Sequence, residues 1–198
     1  MKLELKLLLK RWLGIALLAP TLALAAAPAD AGSRPVRIQE EIQAKTPAAM
    51  KQQLQDYYFS AARRGDMQML QEFVDASYDL DARTEQGYTG LILAAYQGHA
   101  AAVELLLGAG ADPCAEDRRG NTALLGAIFK GELRIARRLM GTACRPDQRN
   151  HAGQTPAMYA ALFQRSAILQ ELVTQGADVE ATDRAGNTAT SLGRGEFK

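Results

Sequence analysis

The chain has 198 residues, 47% apolar and 23% charged, and 23 Lys and Arg balance 22 Asp and Glu for a formal net charge of +1. That balance gives no sign of the basic stripe which nucleic-acid binding needs in order to release counterions, so no nucleic-acid partner is expected. Two cysteines without a nearby histidine argue equally against a metal site.

The first eleven residues carry Lys2, Lys6, Lys10 and Arg11 against a single acid, Glu4. An apolar run from Trp12 to Leu24 follows, interrupted by Gly14, Pro20 and Thr21, and it leads into the small residues Ala23-Leu24-Ala25-Ala26-Ala27. A basic region, a short apolar region and an A-x-A ending are the three parts of a secretory signal peptide. The run falls short of the roughly 20 residues that span a bilayer. The segment is therefore read as a cleaved leader and not as an anchor, with the cut after Ala25 or Ala26. Neither cysteine lies near it, which argues against lipidation. The expected organisation is a signal peptide over 1–26, a polar linker over 27–49 and a repeat domain over 50–198. The linker is expected to hold one short helix around 36–44. Removing residues 1–27 moves the net charge from +1 to −2. The mature chain is expected to be periplasmic, soluble, one domain and without a stable membrane anchor.

Beyond the linker the chain is periodic. Gly87, Gly120, Gly153 and Gly186 stand 33 residues apart, and each is followed two positions later by Thr89, Thr122, Thr155 or Thr188. A fixed period of this length marks a solenoid, in which one supersecondary unit is copied and stacked. The threonines are helix N-cap signals. In the second unit Gly98-His99 breaks the chain between two short helices. Val103, Leu106 and Leu107 recur at helical spacing, and Gly110 closes the second helix. Each unit thus reads as turn, helix, turn, helix and extended return. The units span about 50–82, 83–115, 116–148 and 149–181, with a partial capping unit over 182–198. A helix pair of this kind cannot bury its own apolar face and needs neighbours.

These residues resemble the ankyrin repeat family. Gly153-Gln154-Thr155-Pro156, Ala94-Ala95, Gly98-His99, Gly110-Ala111-Asp112 and Gly176-Ala177-Asp178 match that family's pattern from about residue 50 to the end. The resemblance implies an all-α solenoid of helix-turn-helix units with short β-turn fingers. Ile92, Leu125 and Met158 stand where the family has a histidine, so its hydrogen bonds are expected to be replaced by apolar packing. Unit three is the most divergent. Gly126 falls inside its first helix, at a cost of about 0.5–1 kcal/mol relative to alanine. Thr142-Ala143-Cys144-Arg145 replaces Gly-Ala-Asp. Local opening is expected to favour this unit.

No catalytic residue is assigned. His99 occupies a structural position of the family, and His151 lies in a turn with no nucleophile close in sequence. No HExxH, G-x-S-x-G or P-loop motif occurs, and no cofactor is implied. The cysteines stay open. An even number in an oxidising compartment favours a bridge, worth about 3–4 kcal/mol for the Cys114–Cys144 loop. Yet Cys144 aligns with Ala111 and not with Cys114. A bridge requires Cα atoms within about 7 Å, which a regular stack does not guarantee.

What remains is binding. In ankyrin stacks the turn tips and the exposed side of the first helices form a concave surface that grips partners. The matching positions give Tyr88, Tyr96, Gln97, Arg118, Arg119, Phe129, Lys130 and Phe163 as the partner-binding set. Tyr96, Phe129 and Leu162 fall in one column, and aromatic residues beside arginine are the composition of interface hot spots. The same column could instead pack repeat against repeat. Arg134, Arg137 and Arg138 read as a solvated outer face. The expectation is a monomer when free that binds one protein partner without catalysis. It would be an adaptor or stabiliser, and similar exported bacterial ankyrin proteins are associated with peroxide resistance. Inhibition of a toxin, and a thiol-redox role through Cys114 and Cys144, are the alternatives.

Overall fold

Threonine opens the first helix of each finger-bearing unit and glycine follows most helix ends, and the spacing of the two sets the architecture. The computed structural model describes residues 46–198. The expected signal peptide, most of the expected linker and the helix expected around 36–44 lie outside the described residues. Backbone contacts divide the chain into two bodies, residues 1–54 and 55–198, and the packing below is that of residues 55–198. In chain order the helices are α1 (Pro47–Arg64), α2 (Met67–Asp75), α3 (Gly90–Tyr96), α4 (Ala100–Gly108) and α5 (Ala123–Lys130). They continue with α6 (Leu133–Met140), α7 (Pro156–Leu162), α8 (Ser166–Thr174) and α9 (Ala189–Gly193). No strand occurs among the described residues. Helix α1 starts inside the segment expected to be linker. Thr46 accepts the N–H of Ala49 at 3.2 Å, and Pro47 takes the first helical position, where a missing N–H costs nothing.

First helices stack on first helices (α3, α5, α7, α9) and second helices on second helices (α2, α4, α6, α8). The shared core is small and aliphatic: Ala94, Ala95, Ala127, Ala160, Leu91, Leu106, Ile128, Leu139 and Leu172 are all buried. Alanine pairs let the first helices approach closely, and the leucines fill the space between layers. The N-cap threonines form one column. Thr89, Thr122, Thr155 and Thr188 accept the N–H of the residue three positions on, at 3.3, 3.5, 3.3 and 3.0 Å. Ile92 and Leu125 are buried apolar side chains, as the missing histidines imply. The replacement is not apolar throughout. The Met158 sulfur accepts the Thr155 N–H at 3.4 Å, and the Ser191 hydroxyl accepts that of Thr188 at 3.1 Å.

The second helices end differently in unit three. Helices α2, α4 and α8 close on a left-handed residue: Ser77, Gly110 or Gly176. The next N–H then reaches back five residues, from Tyr78 to Phe73, Ala111 to Leu106 and Ala177 to Leu172, at 3.0, 3.0 and 2.9 Å. In α6 the equivalent Ala143 is not left-handed, and Cys144 makes no such bond. A disulfide stands there instead, joining Cys144 to Cys114 with Cα atoms 5.5 Å apart.

The offset that argued against this bridge is explained by the neighbouring junctions. Asp81 and Asp147 lie one repeat either side of Cys114. Their carboxylates accept the N–H of Asp112 at 2.9 Å and of Asp178 at 3.1 Å, each 31 residues ahead in the following unit. Cys114 is in the same column and reaches Cys144, 30 residues ahead. The bridge thus takes the place of an inter-repeat hydrogen bond and reinforces the junction beside the unit expected to open first.

Two glycines inside first helices have opposite surroundings. A Cβ on Gly90 would lie 2.2 Å from the Tyr58 hydroxyl oxygen. Tyr58 is fully buried, donates to the Leu80 carbonyl at 2.8 Å and packs against Phe73 and Tyr78 at 5.3 and 5.1 Å. That explains why glycine replaces the family's proline in this unit. A Cβ on Gly126 would meet only the Tyr96 side chain, at 3.7 and 3.8 Å, ordinary contact distances.

Gly90→Ala should therefore destabilise by about 1–3 kcal/mol through overpacking, whereas Gly126→Ala should stabilise by about 0.5–1 kcal/mol. Urea denaturation of both variants measures the two signs. Cys114→Ser with Cys144→Ser should lower stability by about 3 kcal/mol on the chain-entropy account. Cys114→Asp with Cys144→Ala should recover part of that loss by restoring the carboxylate used at the adjacent junctions. Calorimetry of the oxidised parent and the two cysteine-free variants compares them.

Candidate functional site

Four fingers carry the site, and each is closed by the same pair of backbone bonds. In the second unit the N–H of Thr84 reaches the Tyr88 carbonyl and the N–H of Gly87 reaches the Thr84 carbonyl, at 3.0 and 2.8 Å. Asp117, Asn150 and Asp183 head the later fingers in the same manner. The turn requires positive φ at Gly87, Gly120, Gly153 and Gly186 (84, 76, 79 and 85°), a region that glycine enters freely. Successive fingers also touch. Arg118, His151 and Arg184 donate their backbone N–H to the carbonyls of Gln86, Arg119 and Ala152 at 3.0, 2.8 and 2.9 Å. A Cβ on Gly87 or Gly120 would lie 2.7 Å from the nitrogen of the next finger. The 33-residue glycine spacing is therefore a requirement of close approach as well as of turn geometry.

Side chains at the head of each finger hold it rigid, and sequence reasoning missed them. One Asp117 oxygen accepts the N–H groups of Arg119 and Asn121 at 2.7 and 2.8 Å, and the other accepts the Asn121 amide at 3.1 Å. Asn150 accepts from Ala152 and Gln154, and Asp183 from Ala185 and Asn187. Their spacing matches that of the glycines, three positions earlier, which was the available signal. At Asp183 burial opposes ionisation. Hydrogen bonds from the Asn187 side chain and from the backbone of Asn187, Ala185 and Gly186 outweigh it and hold the carboxyl below its ordinary range.

Both histidines are engaged in this scaffold. His99 places Nε2 at 2.9 Å from the Arg63 carbonyl, and His151 places Nδ1 at 3.1 Å from that of Arg118. A carbonyl only accepts, so each of these ring nitrogens carries the proton. Both link one repeat to the next.

Beneath the fingers, the exposed side of the first helices forms a cleft of about 430 Å³ across units two to four. Of the expected set, Tyr88, Tyr96, Gln97, Arg119 and Phe129 line it. Tyr96 and Phe129 lie nearly parallel with ring centroids 6.0 Å apart and remain 39% and 41% exposed. The aromatic row then turns to Phe163, edge-on to Phe129 at 4.9 Å, and not to Leu162. Phe163 and Lys130 stand at the border of the cleft, with the Lys130 ammonium 5.0 Å from the centre of the Tyr96 ring. Arg118 faces a neighbouring hollow of about 760 Å³ between the finger tips, which it shares with His151 and Arg184.

The other lining residues lay outside the expected set, Tyr159, Asn121 and Gly126 among them. The Tyr159 hydroxyl lies 3.4 Å from the Asn121 Oδ1, and burial raises its ionisation above the normal phenol range. Tyr159 was visible as the residue 33 positions after Gly126 but sits a turn away from the column chosen. On the opposite face, Arg137 and Arg138 pair with Glu171 and Glu104, both at 2.8 Å, tying α6 to α8 and α4. Such exposed pairs contribute little, and that face is solvated.

A stack of helix pairs joined by rigid fingers, with an aromatic cleft on the first-helix side, is a helical repeat protein built to present a surface. The family model for ankyrin repeats (three copies) matches residues 58–150 and 109–183, and the chain belongs to the ankyrin repeat family. Ankyrin repeats are typically non-catalytic binding modules, so a protein partner is implied. No curated protein matches the chain.

A depressed carboxyl favours folding above its unfolded value and loses that contribution as pH falls through the folded one. The last finger should therefore loosen on acidification below the normal aspartate range, about pH 4. Asp183→Asn, which copies Asn150, should keep the turn and remove that step. Hydrogen exchange of Ala185 and Asn187 between pH 5 and 2 reads it residue by residue.

Proposed function

We infer that the protein is an exported, non-catalytic module that binds one periplasmic protein on the first-helix side of its repeats. The observation that carries this reading is the pair Tyr96 and Phe129. They stack on one another across two repeats, and about two-fifths of each remains open to solvent. Rings that only joined repeats would be covered by their neighbours. Rings that form a lip, over a cleft and beside Arg119 and Lys130, have the composition of an interface hot spot. The fingers hold this surface preformed, which lowers the ordering cost of association. Export rests on the basic, apolar and small-residue sequence of residues 1–27. A disulfide that bridges two repeats in the column of Asp81 and Asp147 favours a structural use of both cysteines over a redox role.

Tyr96→Ala with Phe129→Ala should abolish co-purification of a partner from periplasmic extract while the far-ultraviolet helical signal is unchanged. Co-purification that survives the double substitution would reject the surface. Intact mass of the secreted protein, with cell fractionation, tests the leader and the compartment.

A further inference from the structure

Gly126 has no conformational reason to be glycine. Its φ is not positive, it lies in the middle of α5, and a Cβ there would touch Tyr96 alone, at ordinary contact distance. A glycine at such a site costs about 0.5–1 kcal/mol of helix stability relative to alanine. One repeat to either side, the same position carries Leu93 and Tyr159, and both line the cleft. A side chain at position 126 would occupy the space between them. The missing side chain is what makes a depression there, with Tyr96 and Phe129 as its lip.

Cations outnumber acids around this depression. Arg119 lines it and Lys130 flanks Tyr96. Arg118 and Arg184 stand exposed on the adjoining finger tips, against Glu85 on the second unit's finger. Among the described residues, none of these four cations has an ion-pair partner. Asp117, the acid that lines the cleft, has both oxygens occupied by hydrogen bonds from Arg119 and Asn121. An apolar recess inside a rim of unpaired cations complements one kind of ligand.

The geometry points to a partner segment that inserts one leucine or aromatic side chain over Gly126 and carries aspartate or glutamate residues beside that anchor. The acids meet Arg119 and Lys130, with Arg118 in reach of a longer segment. This inference rests on the binding surface proposed above and specifies its occupant. Gly126 acts by omission: it gives up helix stability and leaves room for the anchor.

The test uses random short peptides displayed on phage and selected on the purified full chain, with selected sequences resynthesised for fluorescence anisotropy. The expected selection is an apolar anchor flanked by acids. Its affinity should fall by about 10-fold or more, or about 1.4 kcal/mol, in Gly126→Leu, although that variant melts no lower than the parent. Gly126→Ala should give a smaller loss in the same direction, which keeps the test intact if leucine disturbs the helix. Arg119→Glu with Lys130→Glu should reverse the preference, so that a lysine-flanked version of the same peptide binds better. Selection of no motif, selection of anchors without acids, or affinity unchanged in Gly126→Leu would overturn the inference. A natural partner lost from Tyr96→Ala with Phe129→Ala but retained by Gly126→Leu would uphold the binding surface and still overturn this occupant.

Discussion

The array depends on one backbone hydrogen bond made three times, from the N–H groups of Arg118, His151 and Arg184 to the finger that precedes each. This bond sets the spacing of the fingers at the height of one helix layer. It is possible only where the preceding finger carries no side chain in the path, as at Gly87 and Gly120. The same glycines supply the positive φ that turns the chain. Turn geometry and layer spacing are thus met at a single position, so any side chain there would break both. The helices below are short, and isolated helices of five to nine residues are marginal in water. They persist because each layer is held in register at both ends, by fingers on one side and by helix-end bonds on the other.

The helix-end bonds show how a repeat protein tolerates divergence. Three of the second helices close through a left-handed residue and a bond to the carbonyl five residues back. Unit three has lost that closure together with the Gly-Ala-Asp that provides it. Its junction with unit two has also lost the aspartate that Asp81 and Asp147 supply elsewhere. A covalent bond is found where both are missing. In a quasi-one-dimensional stack a weak junction would let the ends open separately, so the place where a crosslink matters most is the place where the consensus fails.

Much of this was legible in the chain because periodic constraints leave periodic residues. Gly87 to Gly186 and Thr89 to Thr188 are governed by backbone geometry, which is the same in every layer, so the fold could be read directly. The Asp117, Asn150 and Asp183 series carries an equally regular role but varies in residue type, and it was overlooked. The disulfide was obscured for another reason: side chains reach forward along the stack. A residue pairs with one 30 or 31 positions on, so aligning columns at 33 suggests a mismatch that space does not contain.

The cleft was only half legible, and the reason lies in what a recess is. Tyr96, Phe129 and Arg119 announce themselves as exposed aromatic and cationic residues at surface positions. The feature that gives them depth is an absence at Gly126, which in sequence looks like a defect of a weak unit. Only the surroundings separate the two meanings of a helix glycine. Gly90 admits the Tyr58 ring and belongs to the core. Gly126 has open space before it, with Leu93 and Tyr159 to either side. In a repeat array, where every other layer shows what would fit, a position left empty in one layer is a statement about the ligand and not about the fold.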